Sequence, residues 1–89
     1  MYYVYVLHSG KDGKLYTGYT NDLRRRLAEH LEGKSIATRS RLPLYLIYYE
    51  AYKSQADVKA REYRLKTSPG ARTALNRRLR ISLRPGHSV

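Results

Sequence analysis

Apolar positions along this chain alternate in its early segments and recur at helical spacing later, and their order predicts the elements. From Tyr2 to His8 the run is rich in β-branched and aromatic residues. Ser9-Gly10-Lys11-Asp12-Gly13 interrupts it with turn formers and Lys14-Leu15-Tyr16-Thr17-Gly18-Tyr19 resumes it, which is the pattern of a β-hairpin. Thr20, Asn21 and Asp22 offer N-cap oxygens to a helix in which Leu23, Leu27 and Leu31 recur every fourth residue, with Gly33 placed to end it. Lys34 to Leu42 is polar and basic and reads as a loop. Pro43-Leu44-Tyr45-Leu46-Ile47-Tyr48-Tyr49-Glu50 is the longest apolar run and the expected central strand, with Pro43 at its first position, where no ladder donor is lost. Ser54 and Asp57, at capping-box-like spacing, introduce a second helix running to about Thr67, and Pro69-Gly70 punctuates its end. A third helix from Ala71 to about Leu83 puts Ala71, Leu75 and Leu79 on one stripe, and residues 84–89 read as a frayed, disordered tail.

The order strand, strand, helix, strand, helix, helix is that of an α+β domain, a small three-stranded antiparallel sheet flanked by helices. At 89 residues the chain holds one such domain, over residues 1–83, and no second.

Charge narrows the function classes. Eighteen Lys and Arg against seven Asp and Glu give +11, spread from Lys11 to Arg84, and such a field favours polyanions, above all nucleic acid. No apolar run approaches the roughly 20 residues of a membrane-spanning helix, and the first seven residues lack the basic segment and cleavage site of a signal peptide. With no cysteine, disulfides, thiolate nucleophiles and Cys-type zinc sites are excluded. A soluble, cytoplasmic protein without a membrane partner is expected. No phosphate-cradling glycine-rich loop, nucleophile elbow or Cys/His metal spacing occurs, which argues against NTPases, hydrolases of the elbow type and zinc modules.

Within this frame a few residues stand out. If the hairpin is centred near Gly10 and Lys11, Tyr5 and Tyr16 nearly face each other on one side of the sheet, although either alone is an ordinary strand residue. Gly18 falls on the same face, where a missing side chain lets a ligand backbone approach, or else marks a bulge. Arg24 and Arg25 read as a solvated basic face. Arg26 is four residues before His30, so both project from one side of the helix next to the leucine stripe. An arginine there can offer a planar fork to a phosphate. Glu62 is one turn before Lys66, an ion pair contributing roughly 0.2–0.5 kcal/mol. Arg39 and Arg41 lie in the basic loop, which either grips a phosphate or is simply solvated.

Tyr3-Val4-Tyr5, Tyr16-Thr17-Gly18 and the helix from Asp22 to His30 together resemble the GIY-YIG nuclease domain, with Tyr3 and Val4 in place of the first Gly and Ile. Thr38-Arg39 and Arg41-Leu42-Pro43 resemble a pattern of its small stand-alone YhbQ-like (UPF0213-type) members. The resemblance spans the chain through the second helix and implies the same α+β architecture. It further implies a divalent-metal-dependent endonuclease or phosphodiesterase acting on DNA, with DNA repair among the family's roles. In that pattern Tyr16, supported by Tyr5, orients or deprotonates the attacking water, Arg26 stabilises the phosphorane-like state, and His30 assists by hydrogen bonding or proton relay. Glu62 matches the glutamate that binds Mg²⁺ or Mn²⁺ beside the leaving 3′-oxygen, one carboxylate plus waters and phosphate being a usual way to hold such an ion. Gly18, Arg24, Arg25, Arg39 and Arg41 would contact nucleic acid. Asn76 corresponds loosely to a polar residue that some members use late in the domain, and Tyr19 stands where several repair-type relatives have lysine. The competing class is a non-catalytic nucleic-acid-binding module that keeps the fold, with DNA or RNA as its ligand. So small a domain has little area for reading bases, so weak sequence specificity, or a partner protein that supplies it, is expected.

Overall fold

A computed structural model describes residues 1–83, so the tail expected over residues 84–89 lies outside the described residues. Strand β1 (Tyr2–Ser9) carries Val4, Tyr5, Val6 and Leu7 in succession, each no more than 2% exposed. Such a run is buried on both faces, and β1 is the middle strand: β2 (Leu15–Thr20) and β3 (Leu44–Tyr52) pair with it antiparallel, in the order β2-β1-β3. The expectation of a central strand over residues 43–50 is therefore corrected, because β3 is an edge strand. Its long apolar run includes Tyr45 and Tyr49, each about half exposed, and a tyrosine tolerates that position because its hydroxyl can stay hydrated.

Helix α1 (Leu23–Leu31) packs Leu23 and Leu27 on the sheet face that carries Tyr5 and Leu7. Helices α2 (Gln55–Thr67) and α3 (Pro69–Arg78) bring Val58, Leu65 and Leu75, followed by Leu79, onto the opposite face with Val4 and Val6. The sheet is thus the middle of three layers, and each fully buried Val or Leu stabilises it by about 1.5–3 kcal/mol. Asp22 caps α1 by accepting from the Arg25 amide at 3.1 Å, and Gly33, at φ +76°, ends the helix in the left-handed region where it carries no steric penalty.

Three helical details differ from the sequence reading. Leu31 is about half exposed, since eight residues overshoot the inward direction by about 80° whereas seven return to within about 20° of it, so His30 rather than Leu31 is in phase with Leu23. The Ser54–Asp57 capping box does not form: Ser54 occupies the N-cap without a side-chain bond and Asp57 is exposed. Helix α3 ends at Arg78, not Leu83, although Leu83 still packs on the core its stripe defines.

Helix α2 is fastened to the edge strand by a cluster that the sequence did not reveal. Arg61 donates from Nε and Nη2 to the Glu50 carboxylate, at 3.0 and 2.9 Å, and the Tyr48 and Tyr52 hydroxyls donate to the same group. Burial opposes ionisation there, yet Arg61 and the two hydroxyls hold the Glu50 carboxyl below the usual carboxylate range. Among the described residues no helix is long and apolar enough to cross a membrane.

Candidate active site

The hairpin register pairs Tyr5 with Gly18 and Leu7 with Tyr16. Its turn is centred one residue later than expected, between Lys11 and Asp12, so the two tyrosines sit diagonally rather than face to face. Parity is unchanged and both remain on the α1 side of the sheet, with ring centroids 6.4 Å apart. Gly18 makes this possible. A Cβ at that position would lie 2.5 Å from the Tyr5 hydroxyl oxygen and 2.7 Å from Cζ, so the vacancy expected for a ligand backbone is filled by the Tyr5 ring itself.

That ring reaches His30, which is fully buried. Tyr5 Oη lies 2.9 Å from Nε2, and Nδ1 lies 2.7 Å from Oγ1 of Thr38, also fully buried. The imidazole contacts both aromatic rings, with centroids 5.6 Å from Tyr5 and 5.3 Å from Tyr16. Burial, reinforced by the positive charge of Arg26 and opposed by Glu29, lowers the His30 pKa, so the ring is neutral at pH 7 and carries a single N–H. Two arrangements satisfy the line: Tyr5 donates to Nε2 while Nδ1–H donates to Thr38, or Thr38 donates to Nδ1 while Nε2–H donates to Tyr5. Burial also pushes the Tyr5 pKa up to about 12, against the opposing pull of Arg26. Tyr5 is therefore a phenol at neutral pH, able to donate and orient but not to act as a base.

Arg26 flanks this line. Its Nη1 pairs with Glu29 Oε1 at 3.1 Å and Nη2 donates to Ser35 Oγ at 3.3 Å, while about a third of the side chain stays open to solvent. Ser35 and Thr38 both come from the segment expected to be a plain loop. Apart from a single 3₁₀ turn at Arg39–Arg41, that segment is irregular, but it folds back over the end of α1 and buries both hydroxyl residues. It is clasped to the hairpin: Ser9 Oγ donates to the Arg41 carbonyl at 2.6 Å and the Gly10 amide to the Pro43 carbonyl at 2.7 Å. Arg41 completes the clasp, donating from Nε to Asp12 Oδ2 at 2.9 Å and from Nη2 to the Leu15 carbonyl at 3.4 Å. The Lys14 amide and this guanidinium together hold the Asp12 carboxyl down at about 2. Arg41, expected from the sequence to contact nucleic acid, is thus tied to the hairpin through Nε and Nη2, with about a fifth of its side chain open to solvent. Arg24, Arg25 and Arg39 are exposed, as a phosphate-binding surface requires.

Glu62 approaches from the other layer, on α2. It pairs with Lys66 at 3.2 Å, the ordinary ion pair considered from sequence, yet its side chain is only 18% exposed and its charge helps to raise the Tyr5 pKa. Among the described residues no three His, Asp or Glu side chains converge as a metal site. A cation here would have one protein carboxylate, with waters and substrate phosphate completing its shell, and that donor set fits a hard ion such as Mg²⁺. Asn76 is exposed and, with Tyr16, Lys66 and Arg72, borders a cavity of about 410 Å³ between β2, α2 and α3. Tyr5, Tyr16, Arg26 and His30 are thus brought together, Glu62 stands within electrostatic reach, and Thr38 and Ser35 are the additions.

The tyrosine pair on a β-hairpin, braced by a helix that supplies Arg and His, lies in the part of the chain whose motifs resemble the GIY-YIG catalytic domain. Residues 1–79 match that family, and the chain belongs to it, a family of nuclease domains. Within it the chain is a UPF0213-type member. It is 46% identical over 67 residues to a UPF0213 protein of Bacillus pumilus, covering 74% of this chain and 67% of that protein. A UPF0213 protein of Halobacterium salinarum is 45% identical over 67 residues, covering 74% and 86%. The solution NMR structure of a UPF0213 protein from Bacillus halodurans is 38% identical and superposes with a TM-score of 0.54 over 97% of this chain and 88% of that one.

Proposed function

We propose that this chain is an endonuclease that hydrolyses DNA phosphodiester bonds with the aid of Mg²⁺ or Mn²⁺ and with little sequence preference of its own. The observation that carries the reading is the buried line Tyr5–His30–Thr38 beside Tyr16 and Arg26. Burying three polar side chains is costly unless each is satisfied, and here the line fixes two rings next to a partly open arginine in a chain of charge +11.

Roles follow from exposure. The half-buried Tyr16 hydroxyl orients the attacking water. Tyr5 remains protonated, donates a hydrogen bond and packs against Tyr16. Arg26, with about a third of its side chain open to solvent, meets the charge developing on the equatorial phosphate oxygens, which is where preorganised donors accelerate such reactions most. His30 is fully buried and touches no substrate, so it positions Tyr5 rather than relaying a proton to solvent. A divalent cation held by Glu62 would supply Lewis-acid stabilisation at the leaving 3′-oxygen. Arg24, Arg25 and Arg39 bind flanking phosphates, in a cysteine-free chain suited to the cytoplasm, and a partner protein supplies specificity where it is needed.

One observation favours a second reading, a non-catalytic nucleic-acid-binding module: the Glu62 carboxylate already has a partner in Lys66. Incubating the purified protein with supercoiled, linear, branched and single-stranded DNA, and with RNA, in Mg²⁺, Mn²⁺ or EDTA separates the two. Metal-dependent scission supports the nuclease, while binding without scission of any substrate supports the module.

A further inference from the structure

On the sheet face that carries Tyr5, but on the other flank of α1 from Arg26, a groove of about 470 Å³ opens over β1 and β3. Tyr3, Leu46 and Tyr49 line it from the sheet, and Leu23, Arg24 and Leu27 line it from the helix. Asp22 also borders it, with one carboxylate oxygen engaged in capping α1. The Tyr3 and Tyr49 rings meet edge to face, with centroids 6.2 Å apart and planes at 63°. Tyr49 is 55% exposed although its β1 neighbour across the ladder is Tyr5, so an open aromatic surface lies one ladder step from the proposed reaction centre.

Arg24 and Arg26 are about 160° apart around α1, one on each side of its inward-facing stripe. The helix therefore presents one cation toward the Tyr5–Tyr16 cluster and one toward this groove. A ligand that fills it must combine a flat apolar face, for two tyrosines and three leucines, with a negative charge that suits Arg24 and the +11 field. A nucleotide has both. In a duplex the base faces are stacked against one another and cannot reach a protein ring, whereas an unpaired base can.

We infer that the Tyr3–Tyr49 groove is a stacking subsite for an unpaired nucleobase, so that the domain grips a single-stranded or extrahelical nucleotide beside its reaction centre. The inference rests on the nucleic-acid reading but not on catalysis.

The test is binding in EDTA, where cleavage plays no part. Fluorescence anisotropy would compare a labelled oligothymidylate with a duplex of the same length, for the wild type, Tyr49→Ala, Tyr49→Phe and Arg24→Ala, each checked for folding by circular dichroism. Tyr49→Ala should weaken single-strand binding by roughly 5- to 100-fold, the range of one base–aromatic stack, with duplex binding nearly unchanged and Tyr49→Phe close to wild type. Arg24→Ala should reduce the salt dependence by about one phosphate's worth. A 5-iodouracil oligonucleotide should photocross-link to Tyr49 or Tyr3. Folded Tyr49→Ala that binds the single strand like wild type, or loses single strand and duplex alike, would overturn the inference. So would an acidic peptide that alone depends on Tyr49, since that outcome assigns the groove to a protein partner. Tyr49-dependent binding without scission of any substrate would leave this subsite standing and remove only the hydrolytic reading.

Discussion

Gly18 and Tyr5 are cross-strand partners, and the tyrosine ring occupies the space that any side chain at residue 18 would fill. Because Tyr5 is also fixed by His30, its hydroxyl cannot swing aside without leaving a buried polar atom unsatisfied. Gly18→Ala should therefore destabilise the fold by about 1–3 kcal/mol, the usual cost of overpacking. Denaturation should show a smaller penalty for the same change in a Tyr5→Leu background, which removes the hydroxyl and the far edge of the ring. Equal penalties in both backgrounds would mean that Gly18 is required for another reason.

The arginine run offers its own controls. Arg26 contacts Glu29 and Ser35 and flanks the tyrosines, while Arg24 and Arg25 are exposed. Arg26→Ala should reduce cleavage by about 10²-fold or more, in the range of one lost transition-state donor, and Arg25→Ala should mainly weaken binding. Comparable losses of turnover in the two variants would indicate a diffuse cationic face.

Thr38 acts through His30, and the pair gives a pH signature. The unfolded chain protonates this imidazole near pH 6.5, whereas the folded chain does so only at lower pH, so stability is full above about 6.5 and falls as pH drops below it. Urea denaturation at pH 7.5 and 5.5 should show that loss in the wild type and much less of it in His30→Gln. Thr38→Val leaves Nδ1 unpaired and should cost about 1–3 kcal/mol, while Thr38→Ser restores the bond. A Thr38→Val protein as stable and as active as wild type would remove Thr38 from the line.

For Glu62 the ion pair and the metal make opposite demands. An i, i+4 pair whose lysine is half open to solvent contributes about 0.2–0.5 kcal/mol, and the near-isosteric amide keeps the half-buried Glu62 site filled, so Glu62→Gln should leave stability within about 0.5 kcal/mol and binding in EDTA unchanged. Metal-dependent cleavage should fall sharply, because a neutral amide is a poor ligand for a hard cation. Undiminished Mg²⁺-dependent cleavage would place the ion elsewhere.

Local pattern carried much of this architecture and stopped where contacts became long-range. Leu23, Leu27 and the capping Asp22 announced α1, and the one-turn spacing of Arg26 and His30 placed both beside the sheet. Strand order was not legible, since a run such as Leu44–Tyr52 is equally apolar at an edge or a centre, and only the exposure of Tyr45 and Tyr49 distinguishes them. Ser35 escaped notice, and Thr38 entered only as part of the Thr38-Arg39 pattern with no link to His30, because an irregular segment has no period, although two hydroxyl residues three apart directly after the histidine helix were a usable clue. Glu50 and Arg61 are eleven residues apart on different elements, and nothing local ties them.

The central claim, that this cluster hydrolyses phosphodiesters through Tyr16, is tested most directly by single-turnover cleavage with wild type and Tyr16→Phe in Mg²⁺, with EDTA as control. The phenylalanine keeps the ring that packs on Tyr5 and His30 and removes only the hydroxyl, while the buried hydrogen-bond line runs through Tyr5, so the melting temperature should hardly move. The account predicts wild-type scission that EDTA abolishes and a drop of roughly 10²–10⁴-fold in Tyr16→Phe. A folded Tyr16→Phe protein that cleaves as fast as wild type would contradict it.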